Sequence, residues 1–242
     1  MGKDEFQYPD IVYGLAVMTS GCLFELEVLQ NETMQQELVQ NLIQLQSDQL
    51  CFAFMNKLLS SSSNEQQIID FLMKLQTVLS KLSFNQVIVG IFRKYGDFEY
   101  VTGLLKSSEL AIDKLDLARN ILSVAIETRK FYLIDRLNSM EIFQGDEKTA
   151  FREYILTSRL SALRAQQITD EVLRKEKTSA IIEDIKKLFT DAKDSQNELQ
   201  LLMSLGWAAR LHCEDVSQQF FDDMGRRAQS LINRVEDKEE KR

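Results

Sequence analysis

The chain has 242 residues, 44% of them hydrophobic and 27% charged, which suffices for one sizeable domain or two small ones and excludes a wholly disordered chain. Its 29 basic and 37 acidic residues leave a net charge of −8, a balance that phosphate backbones repel unless the cations cluster, so nucleic-acid binding is disfavoured as the main role. With one proline, nine glycines and no Asn-Gly or Pro-Asp-Gly turn signals, almost nothing interrupts a helix, and an all-α fold is expected.

The N-terminal stretch IVYGLAVMTSGC resembles the end of a bacterial lipoprotein signal. It departs from that pattern at Thr19, where a leucine-like residue is usual, and its leading segment carries Asp4, Glu5 and Asp10 against a single lysine. A signal's leading segment should be positive. Ile11, Leu15, Met18, Cys22, Leu26 and Leu29 keep helical spacing through the cysteine, so a helix is expected there and export is not. Cys22, Cys51 and Cys213 are widely spaced and odd in number, which suits buried thiols in a reducing, cytoplasmic setting. No apolar run approaches the ~20 residues of a membrane span.

Helix starts are marked by caps. Thr33 with Gln36, Ser83 with Gln86 and Ser195 with Glu198 have capping-box spacing, and Ser47, Asn64, Asp97, Asp113 and Asp146 suit simple N-caps. Between them the apolar spacing is helical: Ile68, Leu72, Leu75, Leu79 and Leu82 form one stripe, Val87 and Ile91 open the next segment, and Leu115, Ala118, Leu122 and Ala125 a later one. Short connections at 60–63, 95–97 and 128–130 imply antiparallel neighbours.

Residues 88–109 shifted by thirty-three fall on 121–142 without a gap. Ile88 then matches Ile121, Phe98 matches Phe131 and Leu104 matches Leu137, with Val89/Leu122, Ile91/Val124 and Val101/Ile134 as conservative pairs. Shifted the other way, Ile68 falls under Val101 and Phe71 under Leu104. A period of thirty-three to thirty-four residues is that of a helical hairpin in a solenoid. Over residues 50–142 the chain resembles tetratricopeptide-type repeats in architecture, although the tryptophan, glycine-tyrosine and proline landmarks of that family are missing. An ordinary bundle of antiparallel helices would recur at about the same length, and both architectures stay open at this level. In either, Phe98 and Phe131 are expected at equivalent inter-helix positions, with Arg93, Tyr100 and Arg129 facing outward.

Beyond EIFQGDE at 142–147 the composition becomes richly charged. One long helix, or two breaking near RKEKTS at 174–179, should cover 147–193, and further helices should run from Ser195 to about Arg234 before a solvated tail, EDKEEKR. The organisation read from this is a helical-hairpin domain over 1–142, with 143–242 supplying a long helix and C-terminal helices packed on the first part. Trp207, in LLMSLGWAARL with Leu201, Leu205 and Ala208 spaced by four and three beside it, is expected to be buried.

Catalytic equipment is sparse. His212 is the single histidine, with Cys213 and Glu214 next to it and Ala209 where a Glu-x-x-His metal motif would need an acid; no cysteine pair suits zinc. FFDDMGRR at 220–227 looks like the paired aspartates of helical isoprenoid synthases, yet Met224, Gly225, Arg226 and Arg227 follow where a third acid is needed, and a helix end at Gly225 is the simpler reading. There is no phosphate-cradling glycine loop. No catalytic residue, metal ligand or cofactor site is therefore assigned, and no enzyme is expected. The reading is a protein–protein interaction module (adaptor, chaperone or scaffold) that binds a partner segment, expected to have basic character, through a helical surface. A structural subunit of a larger assembly, such as a secretion or viral apparatus, is the alternative, and an all-α metal-dependent enzyme ranks third.

Overall fold

The computed structural model describes residues 32–61, 64–107, 112–191 and 198–239. Every regular element among them is an α-helix: α1 (Glu32–Leu45), α2 (Asp48–Ser61), α3 (Glu65–Leu75), α4 (Lys81–Tyr95), α5 (Phe98–Lys106), α6 (Lys114–Glu127), α7 (Tyr132–Asn138), α8 (Gly145–Ala165), α9 (Glu171–Asp191), α10 (Glu198–His212) and α11 (Gln218–Glu239). The helix-only expectation is met. The expected helix over 11–29, Cys22 and the Ser195 cap lie outside the described residues. Contacts divide the chain into two compact units, one ending at Leu117 and the next starting at Ala118, within α6. The change of texture at 143–147 falls inside the second unit, where α8 begins.

The thirty-three-residue period extends further than side-chain identity suggests. Helices α2, α4 and α6 begin at Asp48, Lys81 and Lys114, and α1, α3 and α5 at Glu32, Glu65 and Phe98, all at steps of thirty-three. The residues that start them keep the same step. Ser47 Oγ accepts from the Leu50 N–H at 3.4 Å, Ser80 Oγ from Ser83 at 3.2 Å and Asp113 Oδ1 from Asp116 at 2.9 Å. On the alternate helices, Asn64 accepts from Gln67 at 3.2 Å and Asp97 from Tyr100 at 3.0 Å. Each side chain satisfies one of the N–H groups that a helix start leaves unpaired. The helix ends repeat as well: Gly96 after α4 has φ 80° and Arg129 after α6 has φ 58°. At the second, the Lys130 N–H reaches the Ala125 carbonyl at 2.8 Å and the Arg129 N–H that of Ile126 at 3.1 Å, the paired bonds of a Schellman end.

Some expected caps move. Ser83 is the third residue of α4, not its cap; Thr33 lies within α1; and Asp146 is inside α8, whose N-cap position is Gln144. The Ile68–Leu82 stripe is also interrupted. Ile68, Leu72 and Leu75 are buried on α3, but that helix stops at Leu75, and Leu82 belongs to the next helix with 61% of its surface exposed.

In the first unit α2 packs on α4 and α1 on α3, like on like, as stacked hairpins do. Phe54 and Phe71 meet at 5.2 Å between ring centroids, and Leu58, Leu72, Ile88 and Leu105 are fully buried. Successive hairpins are tied at their starts. The Asp48 carboxylate, at the head of α2, accepts from the Ser80 N–H (2.7 Å) and from the Ser80 and Ser83 hydroxyls (3.1 and 2.8 Å) at the head of α4. One step on, the Asn85 amide donates to the Asp113 carbonyl at 2.8 Å.

In the second unit α8 packs against α7, α9 and α10, and α10 against α11. The expected 147–193 helix breaks at 166–170, upstream of RKEKTS. Gln167 takes φ 49°, and Asp170 Oδ1 accepts from the N–H groups of Val172 (2.9 Å) and Leu173 (3.1 Å), so a new helix is capped there. RKEKTS sits inside α9. Leu160, Ile185, Leu188, Leu201 and Leu205 fill the core beneath. Arg227 of α11 closes it: Nε donates to Glu198 Oε1 and Nη2 to the Phe189 carbonyl, both at 2.5 Å, with the guanidinium 5.7 Å from the Phe189 ring centroid. Gly225 does not end a helix, because α11 continues to Glu239 and takes most of the expected tail with it.

Candidate interaction surface

The side chains considered for chemistry turn out to have structural partners. His212 Nε2 lies 3.2 Å from Ser161 Oγ, the nearest approach to a nucleophile–base pair. No acid orients the ring, because Nδ1 is buried with no hydrogen-bond partner, and burial followed by the nearby Arg164 charge holds the imidazole below its ordinary range. An effective dyad needs an oriented base. The two described cysteines are sequestered: burial first, then the Asp48 charge, pushes the Cys51 thiol up to about 11, and burial likewise raises Cys213. Thiols so raised are poor nucleophiles at neutral pH. Asp222 accepts from Gln218 at 2.9 Å, and Asp223 pairs with Arg226. Among the described residues no three His, Cys, Asp or Glu side chains converge as metal ligands.

Several basic residues are similarly engaged. Arg174 meets Asp215 at 2.6 Å, Lys175 pairs with Glu171, Lys177 donates to Gln166 at 3.2 Å and Lys186 meets Glu183 at 2.6 Å. Arg93 and Arg129 are exposed as expected. Tyr100 is not an outward residue: its hydroxyl is buried without a partner, and burial, then the charges of Glu65, Asp70 and Asp97, pushes it up to about 12. Phe98 is 6% exposed and packs on Phe92 at 6.4 Å. Phe131 sits at the N-cap position of α7 and is only half-buried. The two rings therefore differ by one place in their helices and in burial, so the expected equivalence of their inter-helix positions does not hold.

Trp207 departs furthest from expectation, with 70% of its surface exposed. The four-and-three spacing belongs to Leu201, Leu205 and Ala208 among themselves. These bury with Leu202 and Ala209, whereas Trp207 follows Leu205 by two places, roughly 200° round the helix. Its actual companions are Met203 and Leu211, one turn to either side and 57% and 61% exposed. Together they form an apolar ridge on the outer face of α10.

Beside the ridge runs a hollow of about 270 Å³ between α10 and α11, lined by Met203, Gly206, Trp207, Arg210, Phe221, Met224, Gly225 and Ala228. Glycines shape it. A Cβ on Gly206 would stand 2.9 Å from Met224 Cε, so the helices approach closely there, while one on Gly225 would meet nothing within 4 Å. On the ridge's other side Leu199, Gln200 and Ser204 border a shallower depression with Met203 and Trp207. The Ser204 hydroxyl donates to the Glu153 carboxylate, whose pKa burial raises against the lowering effect of that bond.

No described helix is long and apolar enough to cross a membrane. The chain matches no protein-family model, no curated protein and no solved structure.

Proposed function

We propose that this protein is an interaction module, an adaptor or scaffold that binds a protein partner through the outer face of α10 and its hollow against α11. The observation that supports this reading most directly is the Met203–Trp207–Leu211 ridge. A tryptophan and two other large apolar side chains aligned in water are costly to leave exposed, and such patches mark binding surfaces. An indole beside a glycine-shaped recess is the anchor-and-pocket arrangement that concentrates binding energy. The net charge of −8 favours a partner with basic character, and buried, unpaired Cys51 and Cys213 suit a cytoplasmic protein.

Trp207 is the chain's single tryptophan and reports on its own face. In the isolated protein its emission should be red-shifted and readily quenched by acrylamide, and a partner captured from the native source should shift it to the blue and shield it. The W207A and M203A variants should lose that partner while keeping the wild-type circular dichroism. Full partner capture by W207A would sink the assignment of this face.

A further inference from the structure

We infer that the occupant of this face is an amphipathic α-helix of a partner protein, laid over the hollow between α10 and α11 as the next helix of the stack. The inference rests on reading the face as a protein-binding surface and adds the form of what binds. Its support is the way the second unit is already built. α10 turns one flank to α8: the Ser204 hydroxyl donates to Glu153 and His212 Nε2 lies 3.2 Å from Ser161 Oγ, with Ala208 in the same row, midway between them. Gly206 and Arg210, which line the hollow, stand two places to either side of Ala208, roughly 160° round the helix. α11 repeats the arrangement. Arg227 reaches the Phe189 carbonyl of α9 at 2.5 Å, and Gly225, two places before it, lines the hollow. Both helices of the last pair therefore rest one flank on the preceding pair and turn the opposite flank to the hollow.

One pair earlier, a helix covers the corresponding flank. α10 packs on α8 and α9 and fills the space with Leu201, Leu205 and Ala208, apolar at i, i+4 and i+7. A helix seated in the hollow continues that interface by one step. The lining also favours a helix over an extended segment. Apart from Arg210, the described lining residues are apolar or glycine, so they offer little to a strand's free N–H and C=O groups, whereas a helix pairs its own. Met203 to Arg210 spans seven residues, roughly 10 Å or two turns, which matches three anchors at i, i+4 and i+7. Gly225 leaves room for one of them, since a Cβ there would meet nothing within 4 Å. Arg210, exposed beside the recess, calls for an acid next to that apolar row. The net charge of −8 acts on the partner as a whole, and Arg210 on the docked helix alone.

The probes are two displayed libraries of peptides of roughly four turns' length, one on a helix-forming frame and one with a central proline, panned on the full chain. Binders are expected from the helical library, with apolar residues at i, i+4 and i+7 and an acid beside them, and they should move Trp207 emission to the blue. Gly225→Leu, which fills the recess, and Arg210→Glu should each weaken them roughly tenfold or more. A lysine in place of the peptide's acid should restore binding to Arg210→Glu. Both variants should keep the wild-type circular dichroism, and should Arg210→Glu perturb the end of α10, Arg210→Gln makes the same measurement. Proline-interrupted binders, helical binders that neither variant weakens, no binder that shifts Trp207, or sedimentation showing Trp207 buried in a second copy of the chain would each overturn the inference. If W207A loses the partner captured from the native source but helical peptides do not displace that partner from the wild type, only the helix falls and the protein-binding reading stands. If W207A retains the partner, both fall.

Discussion

Replacing Arg227 by methionine tests how the second unit is held closed. The guanidinium donates to a Glu198 carboxylate whose residue is 2% exposed and to the Phe189 carbonyl, each at 2.5 Å. Methionine retains most of the aliphatic packing but leaves a buried carboxylate without its cation. Breaking a buried pair from one side costs about 3–5 kcal/mol, a large share of a typical domain's ~5–15 kcal/mol. With a urea m-value of about 2 kcal/mol/M, the midpoint should fall by roughly 1.5–2.5 M. Far-ultraviolet circular dichroism is the suitable probe, because the exposed Trp207 senses little of this core. The double variant R227M/E198L, which removes both charges, should recover most of the loss. If R227M stays within about 1 kcal/mol of wild type, the pair behaves as an exposed surface bridge and the reasoning fails.

Phe98→Ala should cost about 3–5 kcal/mol in the same urea assay, whereas Phe131→Ala, truncating a half-buried ring, should cost roughly 1–2 kcal/mol. The two helix ends should respond in opposite directions: Gly96→Ala destabilises by about 1 kcal/mol because φ 80° disfavours a Cβ, and Arg129→Gly at φ 58° stabilises by a similar amount, to be read from thermal midpoints. Burial pushes the Asp48 carboxyl up, but the Ser80 N–H and the Ser83 and Ser80 hydroxyls outweigh it and leave it below the ordinary 3.8. A depressed carboxylate contributes stability above its unfolded value that is lost as pH falls through the folded one. Asp48→Asn should therefore flatten the decline in melting temperature below about pH 4, with a loss near neutrality of about 1 kcal/mol after solvent screening.

In the sequence the repeat was legible through its apolar phase; in the structure caps and turns carry it more faithfully than core residues do. Ser47, Ser80 and Asp113 differ in chemistry but share one task, and the same holds for Asn64 and Asp97. Core positions need only be apolar and about the right size, so identity fades there while phase survives. The left-handed end shows the limit of such reading. Gly96 announces it, but Arg129 does not, and only the thirty-three-residue step predicts that an arginine occupies a glycine's conformation. The cap at Ser83 was misplaced for a related reason: Ser80 and Ser83 both have the hydroxyl, both reach Asp48 on the preceding hairpin, and the sequence alone does not tell which one also meets a free N–H.

The candidate surface was visible in the residues and hidden by how they were grouped. In LLMSLGWAARL almost every position is apolar, so α10 carries two apolar faces and little amphipathic contrast to say which one is inward. Small residues decide it. Ala208 and Ala209 allow α10 to press into the core with Leu201 and Leu205, and Gly206 lets Met224 of α11 close against it, which leaves Met203, Trp207 and Leu211 on the remaining arc. A helix apolar all round is expected to be buried all round. Among the described residues, the chain covers only one side of α10. Steps of four from Trp207 reach Met203 and Leu211 directly, and that row, separate from the Leu201–Leu205–Ala208 set, is the signal in the sequence that the burial expectation passed over.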